Sequence, residues 1–432
     1  RGSVMPDIDM EGFHRQLTAF DFAAPKPLEE LIGWAIDRLE HGTVHMVHPR
    51  YFGLFNPASN FPSQCADRIS GAFNPQLASS GSSPAPVAIE QHVIRAFAQR
   101  AGLPAESTGH FTTAGSEANY TALLCALTCA APRFADDGVR AFGAPVAMYT
   151  SRECQPAWHK IAHQCGIGRS ALKLIATDGA GRMDVRALAH AVREDRRRGT
   201  VPVLISATAG TTGAGMVDPL EPCATLAREC NIWYHVDAAW GGAALCSDRL
   251  RGELAGIELA DSVTIDAHKW FATTMGCGMF ITRGPAILGE TFRVGAEFMP
   301  SSAASIDPYL NSMQWSRRFM GLRLFLSLAA AGWGGYAAHV ERAVELIDIT
   351  RERLRAHGWS IANDSRLAVL CVTPPGGSAA IREIVRRVLA SGRAWVAVAK
   401  LEGREVVRIC ATHGEASVAD VDELVAALDA AR

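Results

Sequence analysis

The chain has 432 residues, 48% hydrophobic and 20% charged, which is enough apolar material for a large core and a second, smaller domain. Its formal net charge of -2 excludes a polyanion-binding surface, and the short basic run Arg196-Arg197-Arg198 reads as a solvated helix end, so neither nucleic acid nor a membrane is expected as a partner. Eleven cysteines without a C-x-x-C pair, no apolar run of roughly 18 residues and no basic-then-apolar leader argue against a zinc framework, a disulfide scaffold and a membrane span, and a cytoplasmic, metal-free chain with reduced thiols is expected.

Residues 1–57 read as an N-terminal arm. A helix is expected over 28–39, with Leu28, Leu31, Ile32, Ile36 and Leu39 on one face that needs something to pack against. The arm ends in His48-Pro49-Arg50-Tyr51-Phe52-Gly53, a loop suited to the edge of a site. A serine-rich loop from Ser79 to Pro84 leads into a helix over 85–101. Short apolar or β-branched runs at 146–149, 171–175, 201–207, 233–236, 262–265 and 277–281 then alternate with helical stretches such as 185–197 and 222–230. That alternation predicts a mostly parallel α/β sheet covered on both faces, in a large domain over 58–325. The rhythm changes over 326–432. A long helical run to about 357 precedes strands at 367–372, 395–399 and 406–410 and helices at 380–391 and from 418, a small α+β domain.

Three strand ends carry chemistry. Phe111-Thr112-Thr113-Ala114-Gly115-Ser116-Glu117-Ala118-Asn119 is a strand-to-helix turn whose free N–H groups and hydroxyls suit a phosphate, although Ser116 could merely cap a helix. Trp233-Tyr234-His235-Val236-Asp237-Ala238-Ala239 delivers Asp237 beside a floor of small residues on which a planar ring can lie. A carboxylate there wants a cationic partner, and a protonated pyridine nitrogen is one. Ser206-Ala207-Thr208-Ala209-Gly210 brings hydroxyls to the same cleft. In Asp266-Ala267-His268-Lys269-Trp270 a strand presents Lys269, either as a solvated strand-end lysine or as a partly desolvated amine able to condense with a carbonyl. Together, a phosphate cradle, a carboxylate and a lysine in that order are the minimum kit for pyridoxal 5'-phosphate.

The order of Thr-Ala-Gly-Ser-Glu-Ala-Asn, Ala-Thr-Ala-Gly-Thr-Thr, His-Val-Asp-Ala-Ala-Trp-Gly-Gly and Asp-Ala-His-Lys-Trp resembles the pyridoxal-phosphate-dependent group II amino-acid decarboxylases, from about His48 to the C-terminus. The resemblance implies fold type I with a mostly parallel seven-stranded sheet, a homodimer sharing its active sites through a swapped N-terminal arm, and release of the α-carboxylate of an L-amino acid as carbon dioxide. It places Ala114, Gly115 and Ser116 at the phosphate with Asp266 and His268 close by, Thr208 near the ring hydroxyl, Asp237 and Ala239 under the ring, and Lys269 as the Schiff-base lysine. A loop over 296–314 corresponds to the segment that often carries a proton-donating tyrosine, making Tyr309 the candidate. Leu54, Phe55, Asn56 and the Ser83 loop would meet the substrate.

One position departs from the family pattern. After Tyr149-Thr150-Ser151, where a histidine usually covers the ring, an ungapped match puts Gln155, while His159 and His163 lie one and two helical turns on. An amide can cover the ring but cannot shuttle protons as imidazole does. Two further readings therefore accompany the decarboxylase: decarboxylation coupled to oxidative deamination, giving an aldehyde, and a catalytically silent cofactor-binding protein with a structural or regulatory role.

Overall fold

The computed structural model describes residues 2–294, 307–377 and 380–432. Seven strands form the larger sheet: β1 Thr108–Thr112, β2 Val146–Ser151, β3 Leu172–Ile175, β4 Val201–Thr208, β5 Trp233–Asp237, β6 Ser262–Asp266 and β7 Gly278–Thr282, in the order β1-β7-β6-β5-β4-β2-β3. Neighbours from β3 across to β6 pair in parallel, and β7 runs against both β6 and β1. Every residue of β1, β2, β5 except Trp233, β6 and β7 is buried, as expected of strands covered on both faces. The half-exposed edge strand β3 carries Lys173, a charge that discourages further pairing.

Six of the seven strands fall on the runs expected from sequence. The seventh, β1, shows in the sequence only as the lead-in to the turn before Gly115, because Thr-Gly-His-Phe-Thr has too little apolar content to announce a strand. Helix starts follow ordinary capping chemistry. Asp184 accepts from the Arg186 and Ala187 N–H groups to open Val185–Arg197, and Asn60 accepts from Ser63 N–H to open Phe61–Phe73.

The long helix Gly321–Ala356 is broken at Gly332, whose φ of 64° is open to glycine at little cost. Beyond it lie β8 Ser360–Ile361, β9 Val369–Thr373, β10 Ala397–Leu401 and β11 Arg404–Cys410, an antiparallel sheet in the order β10-β11-β9-β8. The helices Ile381–Ala390 and Val418–Ala431 accompany this sheet, the latter opened by a reciprocal Ser417–Asp420 capping box.

The arm folds as two helices, Met10–Thr18 and Leu28–Gly42, and neither has a buried residue. Trp34 packs on Phe13 and Phe20, which holds the pair together. The apolar face read from sequence is left to solvent in the single chain, with Leu28 71% and Leu39 63% exposed. Among the described residues, no helix is long and apolar enough to cross a membrane, and no group of His, Cys, Asp or Glu is arranged to hold a metal ion.

Candidate active site

The parallel strands β5 and β6 end side by side on Asp237 and Asp266, so two carboxylates emerge at one edge of the sheet. Lys269 follows one turn after Asp266 and sets its Nζ 3.1 Å from Asp266 Oδ2, with the lysine side chain only 20% exposed. The segment bearing Lys269 is anchored by Trp270, which stacks on Trp240 at 4.6 Å. Trp240 in turn stacks on Phe55 at 4.0 Å. Lys269 Nζ lies 5.5 Å from the centre of the Phe55 ring, so an aromatic wall forms one side of the amine's surroundings.

Asp237 is buried. Its Oδ2 accepts from Asn119 Nδ2 at 2.7 Å and its Oδ1 from the Ala239 N–H at 3.1 Å. Burial pushes the carboxyl up from its ordinary range, and the Lys269 charge and the Asn119 and Ala239 hydrogen bonds work against that push. The helix Gly115–Ala130 starts directly beside both carboxylates. A Cβ on Gly115 would come within 2.9 Å of Asp266 Oδ2 and 3.1 Å of Ala239 Cβ, so a side chain there would press on both residues of this floor.

Gln155 follows β2 and lines a cleft of about 670 Å³ with Thr113, Ser116, Glu117, Lys160 and Met313. Its Oε1 accepts from the Ala157 N–H at the start of the next helix, so half of the amide is committed to its own backbone. His159 and His163 are exposed on that helix. His268 is buried, with Nδ1 3.0 Å from the Cys277 carbonyl oxygen and Nε2 3.8 Å from Asp266 Oδ2. Thr208 is buried at the end of β4, its N–H donating to Asp218 and its Oγ1 without a partner.

The remaining sequence candidates are placed less centrally. Asn56 donates to the Met275 sulfur at 2.8 Å, and Leu54 is half-exposed. The Ser83 hydroxyl does not stand free for a substrate: it is buried and donates to the Gln76 carbonyl, holding the serine-rich loop together. Tyr309 is buried against Trp315 and donates its N–H to the Ala78 carbonyl, rather than standing exposed on a loop; residues 296–306 of that expected loop lie outside the described residues.

Sequence reasoning missed Arg408, which β11 brings to the aromatic wall from the small sheet. Its guanidinium sits 4.5 Å from the Phe55 ring centre, Nε donates to Thr212 O at 2.9 Å, Nη1 donates to Gly53 O, and buried Nη2 has no partner. The available signal was a cation flanked by Val406, Val407, Ile409 and Cys410 in an otherwise buried strand. Asn119 was missed too, although it stands at i+4 from Gly115 and therefore on the same helix face.

These residues fit pyridoxal 5'-phosphate. Gly115 keeps the floor flat, the helix start offers N–H groups to a phosphate, Asp237 is a buried carboxylate in want of a cation, and Thr208 Oγ1 is a buried hydroxyl in want of a partner. Comparison with known proteins agrees. L-2,4-diaminobutyrate decarboxylase of Rhizobium meliloti is 33% identical over 336 residues, covering 77% of this chain but only 66% of that relative's own length. The crystal structure of mouse CSAD in apo form superposes with a TM-score of 0.92 at 25% identity, covering 99% of this chain and 93% of the other. That of Rhodiola rosea 4-hydroxyphenylacetaldehyde synthase gives 0.88 at 25% identity, covering 100% and 93%. The family model for the pyridoxal-dependent decarboxylase conserved domain matches residues 15–372, and the chain belongs to that family.

Proposed function

We propose that the chain is a pyridoxal-phosphate-dependent carboxy-lyase that removes the α-carboxylate of an L-amino acid. The observation that carries the reading is the conjunction at the β5 and β6 ends: an amine held by Asp266 and a buried carboxylate held by Asn119, on one glycine-trimmed floor. When bound, pyridoxal phosphate supplies an aldehyde for an amine to condense with and a protonated ring that withdraws the electron pair of the breaking Cα–carboxylate bond. Lys269 is the amine assigned to that aldehyde, and Asp266, 3.1 Å away, would hold Nζ in position. Asp237 would oppose the ring nitrogen and Gly115 and Ser116 the phosphate, with Thr208 at the ring hydroxyl and His268 behind Asp266. Arg408, with Nη2 unspent, is suited to orient a substrate carboxylate, while Phe55 and Trp240 exclude water from that side. Borohydride reduction of the loaded protein followed by peptide mass analysis tests the core of this: a label on Lys269 is expected, and a label elsewhere rejects the reading. Carbon dioxide release from a panel of amino acids then identifies the substrate.

The same reading includes a homodimer. Its support is the unburied apolar surface of the N-terminal third, where Phe22 is 90%, Phe73 82% and Phe61 74% exposed, far beyond the scattered apolar exposure of a monomer. Sedimentation equilibrium should give twice the chain mass, and a monomer at micromolar concentration would refute it.

A second reading is kept because of Gln155. Without an imidazole over the ring, the carbanion left by decarboxylation lacks a proton shuttle on that face and can instead react with molecular oxygen. The amino acid, one oxygen and one water would then give the aldehyde, carbon dioxide, ammonia and hydrogen peroxide. Measuring amine, aldehyde and peroxide together decides: amine without peroxide eliminates this reading.

A further inference from the structure

Behind Asp237 the sheet contains a run of buried polar groups that the proposed chemistry does not use directly. Asn119 Nδ2 donates to Asp237 Oδ2 at 2.7 Å, and its Oδ1 lies 3.0 Å from His235 Nε2. His235 Nδ1 is 2.8 Å from Ser262 Oγ, which accepts from the indole N–H of half-buried Trp233 at 2.9 Å. Asn119, His235 and Ser262 are all buried.

The direction of every link is fixed by what each group can do. An ionised carboxylate only accepts, so Asn119 must present its NH2 to Asp237 and its carbonyl to His235. His235 must then carry a proton on Nε2. Burial pushes this imidazole down to about 3, so it holds a single proton and Nδ1 is bare. Nδ1 therefore accepts from the Ser262 hydroxyl, whose oxygen takes the Trp233 N–H, a group that can only donate. We propose that Asn119 and His235 are positioning residues, the last links of a one-way chain of donors, Trp233 to Ser262 to His235 to Asn119, that fixes the Asp237 carboxylate in orientation and in charge. The proposal rests on the reading of Asp237 as the carboxylate that opposes the cofactor ring.

The chain matters because, of the groups that favour the charged form, the Asn119 and Ala239 donors are fixed while the Lys269 charge is not constant. The charges facing Asp237 are Lys269, which helps, and Asp266, which opposes. The Lys269 amine is assigned to covalent work, and its charge is spent there; the Asn119 donor stays. Around His235 the neighbours are neutral: Thr264 Oγ1 at 3.3 Å and the Trp158 ring edge-on at 6.0 Å, besides Asn119 and Ser262. The Ser262 backbone, which favours a protonated ring, and the Thr264 hydroxyl at Nε2 are the groups that compete for these directions; neither is charged, and with the proton on Nε2 polarisation runs toward Asp237.

Two measurements test this. The first uses the protein without cofactor: nitrogen-15 NMR of histidine-labelled chain, with His235→Gln identifying the signal. His235 is expected to stay neutral with its proton on Nε2 from pH 8 to pH 5, and Ser262→Ala to shift the Nδ1 resonance. A proton on Nδ1, or titration near the ordinary histidine value, overturns the chain. The second is equilibrium binding of pyridoxal 5'-phosphate followed by absorbance, with thermal melting to confirm folding. Asn119→Leu should bind roughly 10- to 100-fold more weakly, the expected loss for a hydrogen bond to a charged group. His235→Phe should lose affinity in the same direction, and His235→Gln, whose amide N–H can replace Nε2–H, should recover most of it. Equal affinity across the set overturns the proposal, and if Asn119→Leu does not fold, the parent's NMR tautomer still decides. If the parent binds pyridoxal phosphate but never through Lys269, it is the functional reading that fails, while the NMR result judges the donor chain separately.

Discussion

At the ends of β5 and β6, Asp237 and Lys269 have fixed partners on rigid elements, whereas the wall formed by the end of β2 offers an amide that has turned back on itself. Asp237 is held by Asn119 and Ala239, and Lys269 by Asp266 and the Phe55–Trp240–Trp270 stack. After the end of β2, Gln155 gives its Oε1 to Ala157, and further along the chain Tyr309 is packed into Trp315. The difference separates two functions. On the proposed reading, the first wall would serve condensation with an amine and withdrawal of an electron pair, and the second would govern where the pair goes next. Substitutions on the first wall should therefore abolish turnover, and those on the second should change products.

The largest effect is expected from Lys269→Ala, which removes the nucleophile and should cut kcat by about 10⁴-fold with melting temperature little changed. Full turnover by this variant would collapse the distinction between the walls. Asp237→Ala should cost about 10²- to 10³-fold in kcat, the scale of losing one preorganised electrostatic partner. Arg408→Lys sharpens the same wall from the small-sheet side. A lysine keeps the charge but not the fork that reaches Thr212, Gly53 and a substrate carboxylate, so KM should rise roughly 10- to 100-fold with a smaller fall in kcat. A fall in kcat alone would argue that Arg408 only props up Phe55.

The first wall was largely legible in the sequence because its parts are local: a strand delivers Asp237, another delivers Lys269, and a turn supplies Gly115. Asn119 and Arg408 were not, for a common reason. Asn119 matters through residue 237 and Arg408 through residues 53, 55 and 212, and no local pattern reports such pairings. The sequence also placed Gln155 at the end of β2 but could not show its amide bonding to Ala157, a matter of rotamer rather than register. In the arm, the apolar face over 28–39 was readable, yet Met10–Thr18 was not, since its apolar residues are few and none is buried.

Two buried histidines bring a smaller, pH-dependent test. His235 is partnered at both nitrogens; His110 on β1 has no partner at either, and burial pushes both down to about 3. An unfolded histidine takes up a proton near pH 6.5, and these folded ones do not, so stability is full above that value and falls as pH drops toward 3. Each contributes about 1.4 kcal/mol per pH unit in that window. Asp218 works the other way: burial raises it to about 7, so it gains stability as pH falls through that value. Comparing parent and His110→Phe cancels that opposing contribution. The variant, which keeps the ring against Phe280, should melt with a flatter acid limb between pH 6.5 and pH 4. An unchanged limb would mean that His110 is already protonated or solvated.

The smallest effect, and the one that bears most directly on the second wall, is expected from Gln155→His. The residue shares a cleft with Ser116 and Thr113, the turn proposed to hold the phosphate, and its Oε1 bond to Ala157 is one that a histidine Nδ1 can also accept. The imidazole would therefore enter without dismantling the helix start, leaving Nε2 to carry a proton toward the ring face. If the wall decides the fate of the electron pair, the amine fraction of the product should rise by about threefold or more while total carbon dioxide release changes little, a modest gain beside the 10²- to 10⁴-fold of a fully positioned acid. A parent enzyme that already yields only amine would instead show that protonation comes from elsewhere in the site, and Gln155→His would then leave the products unchanged. That outcome would move the decisive residue off the end of β2 and reduce the contrast between the walls to one of rigidity alone.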